Sequence, residues 1–187
     1  MNKDLVSYVK MFDGVLDDGF CSSLVDKLNT LEWQKHSYST DNGNETVSFE
    51  NELSVNKNNL PETDVIMQKI HLAIGEYINA IGTEQWYNGW SGYSRVRFNK
   101  YDVDTVMRIH CDHINTLFDG QIKGVPTLTV LGGLNDDYEG GEFMMWQDTE
   151  IKIPAGSVLV FPSNFLYPHE VMKVTRGVRH SYVSWVW

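Results

Sequence analysis

The chain has 187 residues, 42% of them hydrophobic, which suits one folded domain with a sizeable core and excludes a disordered chain. Its formal net charge of −10 argues against a nucleic-acid backbone as the main partner. Two cysteines, Cys21 and Cys111, make no disulfide framework, Met1-Asn2-Lys3-Asp4 opens no apolar leader, and no apolar run is long enough to span a bilayer. A cytoplasmic protein with no membrane partner is expected.

Residues 7–16 read as an opening strand and turn, with Asp17 as the N-cap of a helix. Phe20, Leu24, Leu28 and Leu31 fall at helical spacing and predict an amphipathic helix over 18–32. Residues 38–59 are dominated by polar and turn-forming types, including Asp41-Asn42-Gly43-Asn44 and Asn56-Lys57-Asn58-Asn59. The plain reading is a surface loop; the functional one is a lid over an active site. Pro61 opens a second helix, whose stripe Ile66, Ile70, Ile74, Tyr77, Ile78 and Ile81 runs to about Gly82. Trp86, Tyr87 and Trp90 then line an aromatic connection at the core's edge.

From Tyr93 onward the period changes to two. Strands are expected at 93–100, 105–112, 126–133, 141–146, 150–153, 157–161, 169–174 and 178–187, with Gly132-Gly133, Gly140-Gly141 and Pro154-Ala155-Gly156 among the turn signals. Two helices followed by about eight short strands imply an α+β fold: a double-stranded β-helix, or jelly roll, with the N-terminal helices packed on its major sheet. No internal repeat or boundary divides the chain, so 1–187 reads as one domain.

Three residues carry the chemistry. Thr105-Val106-Met107-Arg108-Ile109 suit a strand, and residues i and i+2 of a strand share a face. His110 and Asp112 then offer an imidazole and a carboxylate on one side, with Cys111 opposite. His169, after the loop Pro162–Pro168, is the best third ligand. Two histidines and a carboxylate form the facial triad of non-haem Fe(II) oxygenases, which leaves coordination positions open. His113, at i+3, belongs to the other face. Asp102 and Asp104 read as solvated loop residues, and His36 and His71 carry no pattern.

Arg179 lies ten residues after His169, beyond a turn at Arg176-Gly177, so a hairpin would lay its strand beside the histidine's. Arg179 and Ser181 share a face with Val183, Trp185 and Trp187. An arginine on an apolar face suits a buried anion, held by two guanidinium bonds and a neighbouring hydroxyl.

The motifs, taken in order, are His110-x-Asp112, Leu134-Asn135-Asp136-Asp137-Tyr138-Glu139-Gly140-Gly141-Glu142-Phe143, Pro154-Ala155-Gly156-Ser157-Val158-Leu159-Val160-Phe161, and His169…Gly177-x-Arg179…Trp185. With the opening Phe12-Asp13-Gly14-Val15-Leu16 they resemble the Fe(II)- and 2-oxoglutarate-dependent dioxygenases, in particular the prolyl 4-hydroxylase-like branch. The likeness covers most of the chain and is strongest over 93–187. It implies that His110, Asp112 and His169 bind Fe(II), and that Arg179 holds the distal carboxylate of 2-oxoglutarate with Tyr101, nine residues before His110. O2 would be consumed, with ascorbate as an accessory reductant. Collagen-type members carry lysine where Arg179 stands, which leaves cosubstrate use intact but opens the substrate. Three readings follow: a hydroxylase of a peptide or protein side chain, with proline foremost; an oxygenase of a free amino acid or other small molecule; and, least favoured, a non-catalytic jelly roll holding a structural metal.

Overall fold

The computed structural model describes residues 4–39, 46–83, 85–87, 89–112 and 125–187. After a 3-10 turn at Leu5–Tyr8 come β1 (Lys10–Phe12), α1 (Asp18–Leu28), β2 (Gln34–Lys35), β3 (Tyr38–Ser39), β4 (Thr46–Val47), β5 (Ser54–Asn56) and α2 (Pro61–Ile81). There follow β6 (Arg97–Tyr101), β7 (Met107–His110), β8 (Leu128–Gly133), β9 (Glu139–Gly140), β10 (Phe143–Met145) and β11 (Thr149–Glu150). The chain ends with β12 (Val158–Pro162), β13 (His169–Val171), β14 (Val174–Arg176) and β15 (Arg179–Val186).

Local chemistry sets the helix ends. The Asp17 carboxylate accepts from the Phe20 N–H at 2.9 Å, capping α1. Pro61 takes the first position of α2, where its missing N–H costs nothing, and Gly82 ends that helix at φ 66°. α1 stops at Leu28, short of the expected 32; the Trp33 indole donates to the Leu28 carbonyl and turns the chain away.

The described strands build a seven-stranded sheet in the order β1-β12-β8-β15-β6-β5-β2 and a four-stranded sheet in the order β11-β10-β13-β7. The major sheet is buried on both faces, and alternation sorts its side chains. Val130, Val158, Val160, Tyr182 and Val186 point outward and pack with Ile66, Ile70, Ile74 and Tyr77 of α2. Leu131, Leu159, Phe161, Val183 and Trp185 point inward and meet Met107, Phe143, Met145 and Val171 of the minor sheet. This is the expected α+β jelly roll with helices on the major sheet. Among the described residues no helix is long and apolar enough to cross a membrane.

Two expectations are corrected. The 38–59 segment is not one long loop. β5 is a member of the major sheet between β2 and β6, and Glu52, Leu53, Val55 and Asn56 are buried. The Asp41–Asn44 portion lies outside the described residues. The arginine's strand also does not lie beside the histidine's. β13 pairs with β10 and β7 in the minor sheet, whereas β15 pairs with β6 and β8 in the major one. The link between them holds a separate strand, β14, which pairs with β9, so the expected 169–174 strand is two short pieces in different sheets. His169 and Arg179 thus belong to different sheets instead of one hairpin.

Two tests follow from this packing. A Cβ at Gly132 would lie 2.1 Å from Tyr182 Cζ, and Tyr182 is fully buried. Gly132→Ala should therefore destabilise by about 1–3 kcal/mol, read from urea unfolding, whereas Tyr182→Phe should be near neutral because its buried hydroxyl makes no hydrogen bond among the described residues. His180 is buried, and neither of its ring nitrogens is hydrogen-bonded among the described residues. Burial first, then the Lys100 charge, lowers its pKa from 6.5 to about 4, against the smaller opposing pull of Asp102 and Asp137. The unfolded state thus binds the extra proton between those values, and stability should fall as pH drops from 6.5 towards 4, by about 3 kcal/mol from this residue. His180→Leu should flatten that part of the stability–pH curve.

Candidate active site

Between the two inner faces lies a narrow cleft, with a cavity volume of about 30 Å3. One wall is the minor sheet. The β13–β7 register sets His169 directly opposite His110, and their rings sit 4.4 Å apart. β7 ends at His110, so Asp112 lies two residues beyond the strand; it is nonetheless buried beside both histidines. His110 Nε2 is 3.5 Å from Asp112 Oδ1, and His169 Nε2 is 3.7 Å from Asp112 Oδ2. Among the described residues this is the group of three whose donor atoms, all within 4.8 Å of one another, could hold a metal. His113 lies outside the described residues.

The ring orientations fit a metal. His110 Nδ1 faces the Arg108 carbonyl at 2.7 Å, and His169 Nδ1 faces the Tyr167 carbonyl at 3.1 Å. A carbonyl can only accept, so each Nδ1 carries a hydrogen and each Nε2 is turned towards Asp112, where it can ligate a metal once unprotonated. Two imidazole nitrogens and a carboxylate oxygen converging from one side suit a non-haem Fe(II), with positions left for other ligands.

Asp112 is held as the anion. Burial raises its pKa, but His169, His110 and the Thr129 hydroxyl outweigh burial and keep it well below the usual carboxylate range. Burial lowers the His169 pKa to about 4, against the pull of Asp112. For His110 the hydrogen bond and charge of Asp112 overcome burial, and its pKa rises. One carboxylate supports one imidazolium, and a second at 4.4 Å would repel the first. A dication would replace that single proton.

Thr129 of β8 donates from Oγ1 to Asp112 Oδ2 at 2.6 Å. Its one hydrogen is thereby used, so Ser163 must be the donor in the 2.8 Å Thr129–Ser163 contact. Both hydroxyls are buried, and together they fix the carboxylate's orientation. Common residue types 17 and 34 positions from their partners leave no sequence signal.

On the major-sheet wall Tyr101 lines the cleft, and Arg179 pairs with it in register. Its Cζ lies 5.0 Å from the Tyr101 ring centre, and Nη1 donates to Ser181 Oγ at 3.2 Å. All three are buried. Burial raises the Tyr101 pKa, only partly offset by Arg179, so the phenol stays a neutral donor. The expected set of Arg179, Tyr101 and Ser181 is thus assembled, a cation and two hydroxyls suited to a carboxylate.

The Leu134–Phe143 motif shapes the surroundings of this set. Asn135 accepts from the His180 N–H and donates to the Val178 carbonyl, both at 2.7 Å, clamping the start of β15. Gly141, at φ 67°, lets the chain pass the arginine: a Cβ there would lie 3.1 Å from Arg179 Cδ. The cleft is also lined by Arg97 and Asn99, which were not singled out from the sequence, and by Trp185, which the last motif includes. Counting back from Tyr101 by two would have found the first two.

The sequence model of the family described as the 2OG-Fe(II) oxygenase superfamily matches residues 96–187. A PKHD-type hydroxylase of Acinetobacter baumannii is 36% identical over 96 residues, 48% of this chain and 41% of that protein. One from Xylella fastidiosa is 27% identical over 192 residues, covering 92% of this chain and 75% of the relative. The matched part is thus about two fifths of the first relative's length. Among solved structures, a viral collagen prolyl hydroxylase from Paramecium Bursaria Chlorella virus-1, in its 2OG complex, superposes with a TM-score of 0.68 at 17% identity over 96% of this chain and 94% of that one. A Trichoplax adhaerens prolyl hydroxylase in complex with a hypoxia inducible factor oxygen degradation domain peptide fragment gives 0.69 at 15% identity, over 97% and 84%. At such identities the structures speak for the fold, which is that of prolyl hydroxylases, and over residues 96–187 the chain is similar to the 2OG-Fe(II) oxygenase superfamily, in keeping with the convergent histidine–aspartate centre.

Proposed function

We propose that this chain is an Fe(II)- and 2-oxoglutarate-dependent hydroxylase of a peptide or protein side chain, with proline the leading target and succinate and CO2 as co-products, and that residues 1–187 act as one catalytic domain. The observation that carries this reading is a cleft between the two sheets with a two-histidine, one-carboxylate centre on one wall and Tyr101 on the other, where buried Arg179 and Ser181 stand beside the tyrosine. The PKHD-type hydroxylase names of the relatives and the peptide-bound prolyl hydroxylase neighbour support the substrate class.

His110, Asp112 and His169 would hold the metal, with Thr129 and Ser163 orienting the aspartate. Arg179, Tyr101 and Ser181 would take the distal carboxylate of 2-oxoglutarate and aim its other end at the metal. When bound, Fe(II) with 2-oxoglutarate and O2 supplies the oxidising power that inserts oxygen into a C–H bond. The protein's own part is orientation and exclusion of water. Leu131, Phe143, Val171 and Val183 line the cleft with apolar surface, which strengthens each charged contact made inside it.

The primary test is mass spectrometry of proline-containing peptides incubated with protein, Fe(II), 2-oxoglutarate and ascorbate. One added oxygen on proline is expected, and its absence across peptides that the protein binds would overturn the assignment. His110→Ala, Asp112→Ala and His169→Ala should each abolish turnover and metal binding while leaving the circular-dichroism spectrum intact. Thr129→Val keeps the shape but removes the bond to Asp112, and should weaken Mn(II) binding roughly 10- to 100-fold by calorimetry. Arg179→Ala should weaken 2-oxoglutarate binding to the Mn(II)-loaded protein about 10- to 150-fold, with Tyr101→Phe milder.

A further inference from the structure

Arg179 opens β15, and among the described residues its strand partner lies on one side only, at Tyr101 of β6. On the other side the ladder with β8 ends at the pair Ser181 and Gly133. Continued in the same register, Leu134 would stand opposite His180, and Asn135 opposite Arg179. The Leu134 N–H does donate to the His180 carbonyl at 3.1 Å, and the chain then leaves the sheet. An antiparallel pair of this kind exchanges two bonds. A regular ladder would therefore return the His180 N–H to the Leu134 carbonyl, and the next such pair would bring the Asp136 N–H to the Val178 carbonyl.

The Asn135 side chain replaces both of these bonds. Its Oδ1 accepts from the His180 N–H and its Nδ2 donates to the Val178 carbonyl, each at 2.7 Å. A carboxamide offers the same donor and acceptor as a peptide group, so it can stand in for main chain that has turned away. The second Nδ2 hydrogen goes to Asp137 Oδ1 at 2.5 Å, and only one orientation of the amide satisfies all three partners.

The two bonds to main chain fall on the residues immediately before and after Arg179. They hold the extended backbone that sends its side chain to the inner face. The position needs such support. Arg179 follows the left-handed turn at Gly177, φ 75°, by two residues, and the first residue of a strand frays most readily. The same excursion of the chain packs on the arginine itself. The Tyr138 ring centre is 6.0 Å from Arg179 Cζ, and a Cβ at Gly141 would lie 3.1 Å from Cδ. A guanidinium already aimed loses less freedom when it takes up a carboxylate.

We propose that Asn135 is a positioning residue for the cosubstrate: by completing the sheet around Arg179 it aims the guanidinium, and through it sets the affinity for 2-oxoglutarate. This rests on the role proposed above for Arg179 and extends it to a residue that acts at one remove.

Calorimetry of the Mn(II)-loaded protein with 2-oxoglutarate tests it, because affinity and the fraction of competent sites are read separately. Asn135→Ala should raise the Kd for 2-oxoglutarate about tenfold. The fraction of competent sites and the affinity for Mn(II) should stay within about twofold of wild type. Asn135→Asp keeps the acceptor for His180 but loses the donor to Val178. It should show at least part of the loss, and it carries the test if the alanine variant fails to fold. In an Arg179→Ala background, Asn135→Ala should add less than about twofold, because its effect runs through the arginine. A merely structural clamp gives a different pattern: a lower melting temperature and fewer competent sites, with the Kd unchanged. That pattern overturns the proposal, and so does a tenfold loss that persists in the Arg179→Ala background. If 2-oxoglutarate binding to the wild-type protein does not depend on Arg179, the cosubstrate assignment and the role of Asn135 fall together. If it does depend on Arg179, an unchanged Kd in Asn135→Ala removes only the role of Asn135.

Discussion

A buried carboxylate is the constraint around which this fold is arranged. Asp112 lies where β7 has just ended, almost wholly out of solvent, and an isolated anion there would cost several kcal/mol. The structure meets that cost with three partners from three separate parts of the chain: His110 two residues before it, His169 across the β7–β13 ladder, and the Thr129 hydroxyl from the opposite sheet. Only the two-layer arrangement brings all three together. The minor sheet supplies both imidazoles through one register pair, and the major sheet supplies the hydroxyl. A shift of that register by one residue would turn His169 away from the cleft and leave the anion with half its support.

The same alternation divides labour within the major sheet. On β15, Arg179, Ser181, Val183 and Trp185 share the inner face, the last two lining the cleft, while Tyr182 and Val186 face the helices. A buried polar side chain costs least where a partner waits: outward, Ser184 donates to the Ser94 carbonyl and His180 is the exception with no ring hydrogen bond among the described residues, while inward Arg179 and Ser181 bond to each other. That is why Arg179 arrives with Tyr101 and Ser181 at hydrogen-bond or ring-contact distance, and why glycine stands at 141, where any side chain would press on the arginine.

Much of this was legible in the sequence because it depends on parity and spacing. The pair His110 and Asp112, the pair Arg179 and Ser181, the Asp17 cap and the limits of α2 all follow from local rules. What depends on distant pairing was not legible. β5 is three residues amid asparagines, and its place in the major sheet comes from its ladder with β6, some forty residues downstream. The hairpin expected between His169 and Arg179 assumed that neighbours in sequence pair in space; instead β14 pairs with β9 and sends β15 to the other layer. Arg97 and Asn99 sit between these cases. Their parity with Tyr101 was readable, but neither belongs to a motif, and only the cleft shows what the parity means.

The 46–56 segment shows how a polar stretch can still be structural. Glu52 bridges in parallel to Val106, the Leu53 N–H donates to the Val106 carbonyl, and the Val106 N–H donates to the Asn51 carbonyl. Arg108 adds its charge to Glu52 and lays its guanidinium 3.6 Å from the centre of the Phe49 ring. Two residues further on, β5 joins β6. The segment therefore stitches the edge of the minor sheet, at β7, to the major sheet, at β5 and β6. Its polar composition follows from that position. An edge strand of the minor sheet must be covered by groups that satisfy its free N–H and C=O, and buried Glu52 is tolerable because Arg108 faces it. The consequence reaches the cleft. Met107 and His110 belong to the strand being held and Asn99 and Tyr101 to the strand it is held to, so the spacing between the metal-ligand wall and the anion-binding wall is set in part by this stitch.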